Sequence, residues 1–188
     1  MNRTQILHRA LAAGNIAVVL TGLGLEGKKG ITLNVILMFF LLLIFRIKFW
    51  VDDEQYFQDV ESGKLPGGTP HVIGLVIGVF SWLVWYLAGF FIKDIALSSL
   101  LMAIVMGLSF LWIVATMVSR GAYAEQVPWL FFNAFYILGF LLLFFQDRSW
   151  NPFVERREAF TTVVLCGLGV VFLFDLVVTR LLEQRRAT

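Results

Sequence analysis

Five long apolar runs dominate this 188-residue chain. An α-helix advances about 1.5 Å per residue, so about 20 apolar residues cross a bilayer core of about 30 Å. Three of the five runs reach about this length without their flanking residues. The runs cover residues 31–45, 72–92, 95–118, 129–145 and 160–178. We therefore predict an all-α, polytopic transmembrane helical bundle.

The composition argues against a separate soluble domain. Hydrophobic residues make up 59% of the chain and charged residues 15%, whereas a soluble domain carries about 25% charged residues. No polar stretch exceeds roughly 25 residues, which is too short for a domain that folds alone. Residues 1–188 are therefore predicted to form one integral membrane domain that has the lipid bilayer as its main partner.

The number of spans depends on residues 10–25. This stretch is apolar but contains Asn15, Thr21 and three glycines, and it would extend only about 24 Å as a helix. The prediction is therefore five to six spans. With six, the side of both termini carries nine Lys and Arg residues against six on the other side, which predicts cytoplasmic termini. We expect the plasma (inner) membrane, with Arg46 and Lys48 extending their charges toward its surface.

Two local signals predict where helices begin. Lys93 and Asp94 interrupt 47 residues that are too long for one span, so a tight hairpin is expected there, with Asp94 as the N-cap of the next helix. Pro128 suits the first turn of the following helix.

Several functions are disfavoured by what the chain lacks. A net charge of +2, with scattered Lys and Arg, gives no reason to expect a nucleic-acid partner. The single cysteine, Cys166, cannot form an intrachain disulfide, and two histidines are too few for a convincing haem site. No common catalytic motif occurs. We therefore expect neither a cofactor nor a metal site, and no enzyme.

Asp175 is the most costly residue, because apolar residues flank it on both sides in the last run. A carboxylate at such a depth is penalised by a few kcal/mol unless it is paired, protonated or facing water. It is interpreted either as an interfacial acid reaching toward Thr179 or Arg180, or as a cation or proton site or an ion pair with another helix. With Asn133, Tyr136 and Asn34 it forms a candidate polar pathway, although buried amides also serve as hydrogen bonds between helices.

Small residues repeat along two of the long runs. They let helix backbones approach closely, so they mark either packing within the chain or an interface between copies in a homo-oligomer. The candidates are Gly74, Gly78, Ser81, Ala103 and Gly107.

An acidic segment and a Gly/Pro loop occupy residues 52–70, predicted to be cytoplasmic. Helical spacing places Asp52, Tyr56 and Asp59 on one face. This face is either a solvated helical extension, a docking surface for a cytoplasmic protein, or a divalent-cation site.

Two functional hypotheses follow. The first is a homo-oligomeric channel or transporter for an ion or small solute. The alternative is a membrane sensor or adaptor without transport, which binds a cytoplasmic partner through residues 52–61.

Overall fold

The computed structural model describes residues 3–24, 30–63, 69–120, 126–147 and 154–187. Within these ranges the chain is helical and contains no strand, which confirms the all-α prediction. No separate soluble domain is evident among the described residues. The helices are α1 (Arg3–Gly24), α2 (Leu33–Glu61), α3 (Thr69–Phe90), α4 (Ile95–Arg120), α5 (Val127–Phe144) and α6 (Arg157–Ala187).

Four of these helices contain a stretch that is long and apolar enough to cross a membrane. The stretches are Leu33–Glu54, Ile95–Val118, Val127–Phe144 and Arg157–Leu182. In α1 and α3 the apolar part of the described residues is shorter, Ala13–Gly24 and Val76–Phe90. The protein is thus a polytopic helical membrane protein, while five or six crossings stay a prediction.

The six helices pack in a cyclic order that differs from their order in the chain. Around the bundle the sequence is α1, α3, α4, α5, α6 and α2, with α2 again packed against α1. Helices α2 and α6 run in the same direction, because Asn34 bonds to Thr162 near one end and Lys48 pairs with Asp175 near the other. Helix α2 is therefore held beside α6, the last helix of the chain.

The predicted helix starts are confirmed. The backbone N–H of Leu97 donates to the Asp94 carboxylate at 3.2 Å, so Asp94 caps α4 after a short turn. Pro128 lies in the first turn of α5. Helix α2 ends in a turn in which Gly63 has a φ of +74°, a conformation that favours glycine.

The predicted Gly/Pro loop does not extend to residue 70. Helix α3 already includes Thr69 and Pro70, and residues 64–68 lie outside the described part of the chain. Pro70 can occupy the second position of a helix because backbone N–H groups in the first turn have no intrahelical acceptor.

Aromatic rings fill the contact between α2, α5 and α6. Phe45 lies 6.1 Å from Phe140 and 5.1 Å from Phe172, measured between ring centroids. Phe45 and Phe140 are fully buried. These rings form a tightly packed apolar layer across the middle of the bundle.

Candidate functional site: a buried charge network between α2, α5 and α6

The candidate site is a set of polar side chains that surrounds Asp175 on α6. Asp175 is only 2% exposed. Its carboxylate lies 3.6 Å from the Lys48 ammonium on α2 and accepts a hydrogen bond of 2.9 Å from the Tyr136 hydroxyl on α5. Thr179, one turn further along α6, donates to its other oxygen at 3.2 Å. Three helices therefore supply the groups that compensate one carboxylate.

Lys48 lies between two carboxylates. Its ammonium is 2.8 Å from Asp52, one turn along α2, and 3.6 Å from Asp175. The side chains of Lys48 and Asp175 are 11% and 4% exposed, whereas that of Asp52 is 42% exposed. The series Asp52, Lys48 and Asp175 thus leads from an accessible carboxylate to a buried one.

The network continues along α5. The Trp129 indole N–H donates to the Thr179 hydroxyl at 3.2 Å. Asn133 donates its amide N–H to the Trp129 backbone carbonyl at 2.8 Å, while its buried oxygen has no hydrogen-bond donor among the described residues. That oxygen remains available to accept a hydrogen bond.

A second polar group lies at the opposite end of the same three helices. Asn34 on α2 donates to the Glu158 carbonyl at 3.2 Å and accepts from the Thr162 hydroxyl at 2.7 Å, both on α6. Gln146, just after α5, accepts a hydrogen bond from Thr161. A cleft of about 300 Å³ lies beside Asn34, Gln146, Glu158 and Thr161, and Lys93, Asp94 and Arg157 also line it.

The apolar layer of Phe45, Phe140 and Phe172 lies between these two polar groups. From Tyr136 to Phe144 the rise along α5 is about 12 Å, and Gln146 follows just beyond the end of this helix. The seam between α2, α5 and α6 is therefore polar at both ends and closed in the middle.

The four residues of the predicted polar pathway are thus divided. Asp175, Tyr136 and Asn133 lie at one end of the seam, and Asn34 lies at the other. Asp175 makes both of the interactions that were considered, with Thr179 on its own helix and with a cation on another helix.

Lys48 and Arg46 are the residues that sequence reasoning misplaced. Both were expected to extend toward the membrane surface, but Arg46 is 3% exposed and the Lys48 side chain 11%. The signal that could have located them is their position within a stretch that is otherwise apolar up to Asp52. Without these two cations the charge count is seven against six, so it no longer indicates an orientation.

The small-residue candidates take different positions. Gly74 lies against the Trp112 side chain, and Ala103 is buried in the core, so both pack within the chain. Ser81 is half-buried. Gly78 and Gly107 have open space where a Cβ would be.

The acidic segment is partly occupied by contacts within the chain. Asp52 pairs with Lys48, and Glu54 accepts a 2.6 Å hydrogen bond from Arg9 on α1. That hydrogen bond and the charge of Glu54 raise the pKa of the Arg9 guanidinium above its usual value. The side chains of Tyr56 and Asp59 lie outside the described part of the structure.

Among the described residues, no group of three or more His, Cys, Asp or Glu side chains is placed to hold a metal ion. Cys166 faces outward from α6. The fold and the buried network define a polytopic helical membrane protein with an ionisable cluster inside the bundle. Comparison of the chain with known protein families, curated proteins and solved structures finds no match.

Proposed function

We propose that this protein is a membrane channel or transporter in which a cation, or a proton, moves along the seam between α2, α5 and α6. The observation that carries the proposal is the cluster of Asp52, Lys48 and Asp175, which places two carboxylates against one ammonium. Ionisable residues within transmembrane segments are rare and commonly mark ion pathways or proton relays.

The charge of the cluster favours a positively charged solute. Two carboxylates exceed one ammonium by a single negative charge, which a cation or a proton would neutralise. Lys48 would compete with that cation for Asp175. When the cation displaces the Lys48 ammonium from Asp175, Lys48 would remain paired with Asp52. Asp52 is the exposed member, so it provides the entry point from solution.

The polar cleft at the other end of the seam supports the same function. Asn34, Gln146 and Thr161 offer oxygen atoms to a cation once the apolar layer opens. Phe45 and Phe140 close the seam in this structure, so transport requires a change in how α2 packs against α5. Motions of packed helices of this kind occur on microsecond to millisecond timescales.

Flux measurements on proteoliposomes test the proposal. Protein reconstituted into liposomes with a pH-sensitive dye inside should pass protons or an alkali cation down an imposed gradient. D175N should lower this flux at least about tenfold, because a hydrogen bond to a charged group contributes about 1.5–3 kcal/mol. E155Q, at an exposed position before α6, should retain the wild-type flux.

D52N provides a variant with less risk to folding, since Asp52 is partly exposed. It should shift the dependence of flux on cation concentration. Folded wild-type protein that passes no proton and no alkali cation, or a D175N variant with unchanged flux, would contradict the proposal.

The predicted homo-oligomer belongs to the same proposal. Gly78 and Gly107 leave open positions on α3 and α4 where a helix of a second copy could approach closely. Multi-angle light scattering in detergent should give a mass that is a multiple of 21.3 kDa after subtraction of the detergent. G107L should lower that mass to one chain, and an unchanged mass would exclude this face as the interface.

A non-transporting adaptor is the second candidate. It is favoured by the continuation of α2 as a helix to Glu61, beyond the apolar stretch that ends at Glu54. Asp52 pairs with Lys48, and Glu54 pairs with Arg9. These two carboxylates are therefore less available for binding a cytoplasmic protein. D59K should abolish a stable complex with a cytoplasmic protein if this function is correct, and leave flux unchanged if the chain is a transporter.

A further inference from the structure

A second buried cation lies on the other side of α2 from the proposed pathway. Arg46 and Lys48 are two residues apart, which places them about 200° apart around the helix. Arg46 is 3% exposed, and its guanidinium carbon lies 5.7 Å from the centre of the Trp85 ring on α3. Its Nε and Nη2 atoms have no hydrogen-bond acceptor among the described residues.

The surroundings of Arg46 contain further donors without acceptors. The Trp85 indole N–H, on the ring that Arg46 faces, is buried and unpartnered. Both atoms of the Asn15 side-chain amide are also buried and unpartnered. Asn15 lies on α1, where the preceding residue, Gly14, is against the hydroxyl of Tyr86, the neighbour of Trp85 on α3.

These unpartnered atoms are mostly hydrogen-bond donors. Arg46 contributes two, Trp85 one and the Asn15 amide nitrogen one, against the single Asn15 oxygen. Asp53, two turns further along α2, interacts favourably with Arg46, but it accepts no hydrogen bond from Nε or Nη2. Buried N–H groups without acceptors are unfavourable, so a negatively charged acceptor beside Nε and Nη2 would stabilise this region.

We propose that Arg46 and Trp85 form a binding site for a small inorganic anion such as chloride. An anion would accept hydrogen bonds from Arg46 and the Trp85 indole and neutralise the guanidinium charge. A phospholipid phosphate has the same accepting chemistry, but the 3% exposure of Arg46 leaves little room for a headgroup to reach it. The free anion is therefore the ligand that the burial favours, and the site is independent of the proposed cation pathway.

Thermal unfolding of the purified protein in detergent tests this site. Chloride replaces gluconate at constant ionic strength. The wild-type Tm should rise with chloride concentration to a plateau, because a ligand that binds only the folded state stabilises that state. R46Q should raise the apparent Kd for chloride at least about tenfold, since its charge-assisted contacts are lost. R180Q, which removes an exposed cation from α6, should keep the wild-type chloride dependence.

Two further measurements keep the proposal testable if R46Q does not fold. W85F retains the aromatic ring but removes the indole N–H, so it should weaken chloride binding while preserving the fold. Chloride-35 NMR line broadening on wild-type protein should reveal binding directly, and an excess of bromide, which is not observed at the 35Cl frequency, should reverse it.

Three results would overturn the proposal. The first is a wild-type Tm that does not respond to chloride together with an absence of line broadening. The second is the same chloride dependence in wild type, R46Q and W85F. The third is a phospholipid that co-purifies with wild type and is lost in R46Q, which would assign the donors to a lipid phosphate.

Discussion

The ammonium of Lys48 and the carboxylate of Asp175 lie 3.6 Å apart and join α2 to α6 inside the apolar part of the bundle. Each residue alone would be costly in a membrane. Together they link the last helix of the chain to the second, and either residue of the pair can be substituted to test the link.

Changing both members of this pair should destabilise the protein by less than the sum of the two single changes. K48M leaves Asp175 without its cation, and D175L leaves Lys48 with Asp52 alone, so each should cost about 3–5 kcal/mol. The double variant should be less destabilised than the sum of the two. Unfolding in mixed micelles measures these free energies, and additive effects would show that the pair does not interact.

Tyr136 should contribute to stability through its hydroxyl group as well as its ring. Its ring packs edge-on against Phe45 with a centroid distance of 4.7 Å, and its hydroxyl donates to Asp175. Y136F keeps the ring packing and should cost about 1–3 kcal/mol, the range for removing one partner of a buried hydrogen bond. In a D175L background the same change should cost much less, and an equal cost in both backgrounds would assign the effect to packing.

The sequence predicts the helical bundle well because the apolar runs and helix signals are local. Asp94 and Pro128 mark helix starts through neighbours within a few residues. Asp175 could be recognised as a site that needs compensation, since its apolar neighbours are adjacent in the chain. These features require no knowledge of which helices are neighbours.

The partner of Asp175 could not be predicted in the same way. Lys48 reaches it only because α2 packs beside α6, and nothing in the spacing of the runs indicates that order. For the same reason Arg46 could not be assigned to Trp85, nor Asn34 to Thr162. Positions of polar residues along a run give their depth, but the partner depends on the arrangement of helices around the bundle.

Glycine substitutions should separate close helix contacts from open positions. A Cβ at Gly22 on α1 would meet the backbone carbonyl oxygens of Gly89 and Phe90 on α3, which cannot rotate away. G22A should therefore lower the free energy of unfolding by about 1–3 kcal/mol, as in other overpacked contacts. G78A meets open space, so it should be neutral or stabilise α3 by up to about 1 kcal/mol. Equal effects in the two variants would contradict the close approach of α1 and α3.

Cysteine labelling should decide orientation and the number of spans. In a chain that lacks Cys166, single cysteines replace Ala10, Ser62 and Glu155, all of which are exposed. An impermeant maleimide added to intact cells should label the Glu155 position and leave the Ser62 position unlabelled, if the end of α2 is cytoplasmic. Ala10 should behave like Ser62 if α1 crosses the membrane, and like Glu155 if it does not.

The pairing of Lys48 with Asp175 also has a consequence for biosynthesis. The ribosome adds about 5–20 residues per second, so the carboxylate is made roughly 6 to 25 s after the lysine. During that interval the second helix leaves the insertion machinery with an ammonium whose final partner does not yet exist, and Asp52 is the acid already available to it. The nearby acid is thus placed to pair with the ammonium until the rest of the chain has been made.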